Sequence, residues 1–231
     1  MVVLSLGGSL IVNNDGVNTA YLKKFIALIK KEVKRGERFL IVCGGGATAR
    51  VYDGAAAAIN PAVKDIDLHW IGIGACCINA ELLRASFGNL APPRILRDHA
   101  TDDIPKGFPV LVSGAGSPGT SSDGGAVAWA KKAGAGIVFN LTNIDGVYSA
   151  DPRENKHAEY FSALTWKQYA KVLGMKTWKP NAHAPFDPIA SAMAERWGLS
   201  AVILDGSDLL NFKRALEGKS FRGTTLSGSG I

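Results

Sequence analysis

The stretch Phe39-Leu-Ile-Val-Cys-Gly-Gly-Gly-Ala-Thr-Ala-Arg-Val-Tyr52 decides the fold. Five strand-forming apolar residues stop at three glycines, and an alanine-rich, helix-prone run follows. Strand, glycine turn and helix in that order make a phosphate site, because turn amides and the helix N-terminus face one anion. Lacking Cβ atoms, Gly44, Gly45 and Gly46 let the backbone approach closely. Arg50 lies one helical turn beyond Gly46, where its guanidinium can reach back to the same anion. Taken alone, the pattern is equally a tight turn beside a solvated arginine. The reading therefore depends on matching turns elsewhere.

Three more apolar runs end in such turns. Val2–Leu6 stops at Gly7-Gly8-Ser9, and Val110–Ser113 opens into Gly114-Ala-Gly-Ser-Pro-Gly-Thr-Ser-Ser-Asp123. Ile137–Leu141 empties into Thr142-Asn-Ile-Asp-Gly-Val-Tyr-Ser-Ala-Asp-Pro152. Each run reads as a buried strand feeding a turn. Asn18 or Thr19 caps a helix whose apolar residues Leu22, Phe25, Ile26, Leu28 and Ile29 recur at helical spacing, and Gly36 ends it. Further helices are expected over about 47–58, 70–87, 123–133, 166–173, 188–197 and 209–216. Strands are expected at Ala201–Leu204 and Thr224–Leu226, with 91–107 a short strand or turn plus connection. Residues 153–160 read as a loop, 174–187 as irregular and 227–231 as a frayed tail.

Strands alternating with helices imply a largely parallel sheet covered on both faces. Ligands of such sheets gather beyond the carboxyl ends of the strands. Four glycine- or Asn/Asp-rich turns at strand ends are a coincidence that ordinary turn chemistry does not account for.

Composition sets outer limits. The chain of 231 residues is long enough for a sizeable core, and 47% apolar with 20% charged residues is ordinary for a globular protein. No uninterrupted apolar run reaches the ~20 residues of a membrane span, and Met1-Val-Val-Leu-Ser-Leu reads as a strand rather than a leader. Three cysteines, two of them adjacent at 76 and 77, do not make a disulfide framework, so a reduced cytoplasm is expected. The net charge of +6 is dispersed; Lys30, Lys31, Lys34 and Arg35 form the densest group, on an expected helix. Without a basic stripe and interleaved aromatics, nucleic acid is not an expected partner. Small anionic substrates suit the balance.

Phosphoryl transfer is mostly positioning and electrostatic stabilisation of the moving group. Glycine turns supply donors, Arg50 and Lys179 are candidate cations, and Asp123, Asp145 and Asp151 offer hard oxygens. No Gly-x-x-x-x-Gly-Lys-Ser/Thr motif is present, and no Gly-x-Gly-x-x-Gly follows the first strand. The plainer readings are a packed Tyr148, an ordinary Asp151-Pro152 turn, a solvated Lys179, and turn-stabilising Asn143 and Asp145.

Gly-Gly-Ser at 7–9, Gly-Gly-Gly-x-x-Ala-Arg at 44–50, Pro-Gly-x-Ser-Ser-Asp at 118–123 and Thr-Asn-Ile-Asp-Gly-Val-Tyr-x-Ala-Asp-Pro at 142–152 stand in the order of the amino-acid kinase family. The chain resembles its uridylate kinases, the archaeal type above all. The likeness runs almost end to end, in looser form through Lys219, Arg222, Gly223, Thr224 and Thr225. It implies a three-layer αβα sandwich around a mainly parallel sheet of about eight strands. One domain over 1–231 is expected, acceptor-binding over roughly 1–135 and ATP-binding over roughly 136–231.

Carried over position by position, the resemblance implies ATP, Mg²⁺ and UMP as ligands and no dedicated protein metal site. Gly8, Ser9 and Gly46 would meet ATP phosphates, Gly45 the acceptor, and Arg50 phosphate. Gly116, Ser117, Pro118, Gly119, Thr120, Ser121 and Ser122 would form the acceptor loop. Thr142, Asn143, Tyr148 and Asp151 would form the ATP pocket. Lys179, Arg50 and Asp123 would serve catalysis, and Asp187 matches a family aspartate ahead of a Pro-containing helix. The resemblance also implies a homohexamer of paired subunits, with the 70–87 helix as a contact.

Two departures stand out. Leu6 occupies the place of the lysine that bacterial uridylate kinases carry before the first turn, which puts weight on Lys179. His69 occupies the place of the ribose-binding aspartate, with Asp65 and Asp67 nearby. The alternatives are a kinase of another small phosphate or carboxylate acceptor and a non-catalytic relative resembling the molybdenum-storage proteins. Arg50, where isopentenyl phosphate kinases carry histidine, and the intact Pro-Gly-x-Ser-Ser-Asp both weigh toward uridylate.

Overall fold

The computed structural model describes residues 1–174 and 184–228. In chain order the elements are β1 (Val2–Leu6), α1 (Gly8–Ile11), β2 (Val12–Asn13), β3 (Gly16–Val17), α2 (Thr19–Val33), β4 (Phe39–Cys43), α3 (Gly46–Ile59) and α4 (Asp65–Phe87). A short 3₁₀ turn, Gly88–Leu90, leads on to β5 (Val110–Ser113), α5 (Ser122–Ala133), β6 (Ile137–Thr142), β7 (Val147–Tyr148), β8 (Tyr160–Phe161) and β9 (Ala163–Thr165). The chain closes with α6 (Trp166–Leu173), α7 (Pro188–Arg196), β10 (Ser200–Asp205), α8 (Leu209–Leu216) and β11 (Thr224–Ser227).

The central sheet has seven strands in the order β5-β4-β1-β6-β10-β11-β9. Its first five are mutually parallel, β11 runs antiparallel to β10, and β9 pairs parallel with β11. Among the described residues the sheet thus holds seven strands where about eight were expected, and β2–β3 and β7–β8 form two small antiparallel pairs outside it. A parallel sheet buried on both faces demands continuous apolar strands. All five residues of β4 and all four of β5 are buried. Alternate residues serve opposite layers. Leu4, Ile41, Val112 and Phe139 pack under α2, α4 and α8. Val3, Leu40, Leu111 and Val138 pack under α5, α6 and α7.

Local chemistry explains the boundaries. Asn18 caps α2 by accepting from the Tyr21 amide at 3.2 Å, and α2 buries Leu22, Phe25 and Ile29. Thr165 and Gln168 form a reciprocal capping box on α6. Helix α4 begins at Asp65, a turn before the apolar periodicity does, with Asp65 and Asp67 in its first turn, where negative charge suits the helix dipole. By length and composition α4 could cross a membrane, but it lies along the sheet and buries Ile73, Ala80, Leu83 and Phe87 there.

The first two glycine turns lie back to back. A Cβ at Gly8 would overlap the Gly46 amide nitrogen and come within 2.7 Å of the Gly44 carbonyl carbon. A Cβ at Gly46, whose φ is +64°, would overlap the Gly8 carbonyl and lie 2.8 Å from that of Val12. Since both obstacles are backbone, neither can swing aside. Gly46→Ala should therefore lower unfolding free energy by about 2–4 kcal/mol, combining overpacking with a left-handed backbone. Gly54→Ala, with open space around it on the same helix, should raise stability by about 0.5–1 kcal/mol. Urea denaturation of the two variants measures the contrast.

Candidate active site

Strands β5, β4, β1 and β6 are sheet neighbours and parallel, so the turns after Ser113, Cys43, Leu6 and Thr142 share one edge. This edge gathers Gly116–Ser122, Gly45–Gly46, Gly8–Ser9 and Thr142–Asn143 as the sequence implies. A fifth turn joins them. The Gly206 amide donates to the Thr142 carbonyl at 2.8 Å, and Asp205 is in register with Thr142. Asp205-Gly206-Ser207 at the end of β10 is itself a glycine turn, a signal that sequence reading passed over.

At the centre, Gly8 and Ser9 open α1 against the Gly44–Gly46 turn, and Arg50 stands exposed one turn into α3, without an ion pair among the described residues. A half-exposed loop runs from Ala115 to Ser122 on the flank formed by β5. Its Ser117 hydroxyl donates to Asp98 Oδ2 at 2.9 Å, and a Cβ at Gly116 would lie 2.7 Å from the Asp98 Cβ. Asp98 belongs to a turn pinned by the Asp102 carboxylate, which accepts from the Arg97 and Asp98 amides at 2.7 and 3.1 Å. Hydrogen bonds from the Ala100 amide and Ser117 hold the Asp98 carboxyl below its ordinary range. Ser121 caps α5, accepting from the Gly124 amide at 3.2 Å.

Asp123, in the first turn of α5, reaches beneath the sheet edge. Ser5 of β1 donates to its Oδ1 at 2.8 Å, and the Asp187 amide donates to its Oδ2 at 3.1 Å. Asp187 in turn caps α7 through the Ile189 and Ala190 amides. Asn140 donates to the Pro185 carbonyl at 3.0 Å, and the Tyr169 hydroxyl bridges both backbone groups of Phe186. Burial, with the neighbouring Asp187 adding to it, pushes the Asp123 carboxyl up to about 6 against the two hydrogen bonds.

The flank formed by β6 is a charged cluster. The Tyr148 hydroxyl donates to Asp145, and Arg222 donates to Asp145 Oδ2 at 3.0 Å and to the Tyr148 hydroxyl at 2.8 Å. The Arg222 guanidinium lies 3.5 Å from the centre of the Tyr160 ring, whose hydroxyl bonds both backbone groups of Gly223. Thr224 Oγ1 accepts from the Val147 amide at 2.8 Å. The loosely matched segment near the C-terminus is thereby fixed onto the Thr142–Pro152 block. Asp151, further along the same block, accepts from Arg153 at 2.6 Å, which holds its carboxyl at about 2. Thr142 donates to Asn143 at 3.3 Å. His69 sits half-buried on α4. Lys179 lies outside the described residues.

Asp123, Asp145 and Asp151 are engaged in three separate contacts, and among the described residues no three His, Cys, Asp or Glu side chains gather to hold a metal ion. What the edge presents instead is backbone amide, hydroxyl and guanidinium, a donor set suited to phosphate.

The amino acid kinase family model matches residues 1–205. The chain belongs to the amino acid kinase family. It is 32% identical to the uridylate kinase of Methanococcoides burtonii over 90% of the chain and 87% of that protein. It is 30% identical to the uridylate kinase of Methanospirillum hungatei over 99% of the chain and 95% of that protein. The crystal structure of uridylate kinase from Archaeoglobus fulgidus superposes with a TM-score of 0.82 at 29% identity, covering 98% of this chain and 99% of that one. Aspartate kinase from Synechocystis, at 19% identity and a TM-score of 0.74 over 40% of its own length, shares the fold.

Asp123 gives this family member a pH signature. Its folded pKa of about 6 lies above the ordinary 3.8, so the protonated carboxyl favours the fold. That stability is complete below about pH 3.8 and is lost as pH rises through 6, amounting to about 3 kcal/mol. Asp123→Asn, which keeps one of the two acceptors and cannot ionise, should flatten this part of the stability curve. Denaturant titrations from pH 4 to 7.5 measure it.

Proposed function

We propose that the chain transfers the γ-phosphoryl group of ATP, with Mg²⁺, to UMP. The carrying observation is the back-to-back contact of Gly8 and Gly46, which brings two glycine turns to one point between the two flanks. Its similarity to uridylate kinases over almost the whole chain supports UMP as acceptor.

Gly8, Ser9 and Gly46 then hold donor phosphates, and Thr142, Asn143, Tyr148 and Asp151 form the nucleotide pocket. Gly45 and the loop Gly116, Ser117, Pro118, Gly119, Thr120, Ser121 and Ser122 take the acceptor, and Arg50 clamps phosphate. His69 stands at the ribose. Asp123 ties β1 to the N-terminus of α7, aligning the donor turn with the chain that follows residue 183. Mg²⁺ would be carried largely by the nucleotide's oxygens, as the scattered carboxylates suit, and would neutralise charge on the phosphates. Lys179 supplies the cation that Leu6 does not.

We further propose a single domain of residues 1–231, acting in the cytoplasm as a homohexamer. The outer faces of the packed pair α3 and α4 expose Val51, Tyr52, Trp70 and Ile78 at 66, 64, 54 and 63%. A second copy would cover them. The three cysteines are free, as in a reducing compartment.

Folded protein with MgATP should release ADP in a UMP-dependent manner, measured by coupled assay beside CMP, dUMP, isopentenyl phosphate and acetylglutamate. Turnover of another acceptor without UMP would remove UMP and leave the kinase. Arg50→Ala should weaken UMP binding by about tenfold or more, with lysine rescuing it only partly because a point charge replaces a planar fork. Lys179→Met should lower kcat by about 10²–10³ with KM values near normal, since its contact is made to charge developing in the transition state. Steady-state kinetics separates these outcomes.

A further inference from the structure

We infer that Asn79 is a positioning residue of the phosphate turn, setting the direction in which the Gly45 and Gly46 amides point. The inference rests on the nucleotide-kinase reading above. Asn79 lies on the inner face of α4 and is 3% exposed. Its Nδ2 donates to the carbonyl oxygens of Gly44, at 2.8 Å, and of Gly45, at 3.1 Å. A glycine turn has no side chains of its own to fix its peptide planes, so something outside it must do so.

Within a trans peptide unit the C=O and the following N–H point in opposite directions, and the chain has no cis peptides among the described residues. Drawing the Gly44 carbonyl toward α4 therefore turns the Gly45 amide away from it. Drawing in the Gly45 carbonyl does the same for the Gly46 amide. Among the described residues neither amide has a protein acceptor, while the Gly44 amide is already taken by the Leu6 carbonyl at 3.0 Å. Without Asn79 the planes could rotate and present carbonyl oxygen to the anion, replacing attraction by repulsion.

The same turn of α4 serves the acceptor flank. Two residues before Asn79, the Cys77 thiol donates to the Ala115 carbonyl at 3.3 Å, and a Cβ at Gly114 would fall 2.9 Å from its Sγ. Asn79 thus works from a helix already seated against the neighbouring loop.

The test is the phosphate contribution to binding, which general loosening of the core does not single out. Calorimetry compares UMP with uridine in wild type, Asn79→Ala and Asn79→Leu, the last filling a similar volume without a donor. Both variants should bind UMP about tenfold more weakly while uridine stays within about twofold. A UMP-to-uridine ratio unchanged in both variants overturns the inference, as does loss in Ala that Leu restores, which would make the role packing. Wild type binding UMP no better than uridine overturns the uridylate reading instead, and inorganic pyrophosphate then decides on Asn79. Should the variants fail to fold, wild-type amide spectra decide the matter. Gly45 and Gly46 resonances should move downfield on adding pyrophosphate, and their failure to move overturns the assignment.

Discussion

The architecture depends on the close backbone approach of Gly8 and Gly46. Strands β1 and β4 are paired in register from Val2 with Phe39 to Leu6 with Cys43, so the two chains leave the sheet side by side. Ordinary residues would force the turns apart by at least the width of a side chain. Two glycines remove that width, and α1 and α3 begin almost in contact, each with amides at its start that have no acceptor among the described residues. The attraction of such a place for an anion is a property of backbone alone. It requires no lysine at position 6, which is why Leu6 can sit buried in the core instead.

Electrostatics around this centre divides by depth. Outlying carboxylates are neutralised by partners of opposite charge, as Asp145 and Asp151 are by Arg222 and Arg153. Asp123 has only a hydroxyl and an amide for company, together with a second carboxylate, Asp187. Its ionisation is therefore costly in the protein's own terms. A group so placed joins three elements, β1, α5 and α7, and its charge state is felt in all of them.

Much of this was legible in the sequence because glycine turns after apolar runs are local signals. The strand β4, its turn and α3 fall within a residue or two of their expected positions, as do the turns after Leu6, Ser113 and Leu141. What escaped was non-local or too short for periodicity. Arg222 meets Asp145 across 77 residues of chain. Asn79 is a single polar residue at the end of the apolar run that begins at Trp70 in α4, where pattern reading sees only a break. The pairs β2–β3 and β7–β8 are two residues per strand, below the length at which alternation can be counted. The edge strand β9 has one buried residue of three. The start of α4 was missed because Asp65 and Asp67 stabilise its first turn electrostatically while adding nothing to its apolar stripe.

The strand order carries a dimension as well as a topology. Neighbouring strands lie about 4.8 Å apart. From β5, which launches the Gly114–Ser122 loop, to β6, which launches the Thr142–Pro152 block, there are three such intervals, roughly 14 Å in all. The paired glycines of β1 and β4 occupy the middle interval. The sheet is in this sense a ruler: it places the two flanking turns at a separation counted in strands, with the paired glycines midway. A ligand pair that meets end to end through phosphates matches such a scale, and inserting or deleting one strand between the flanks would change the length of what can be joined.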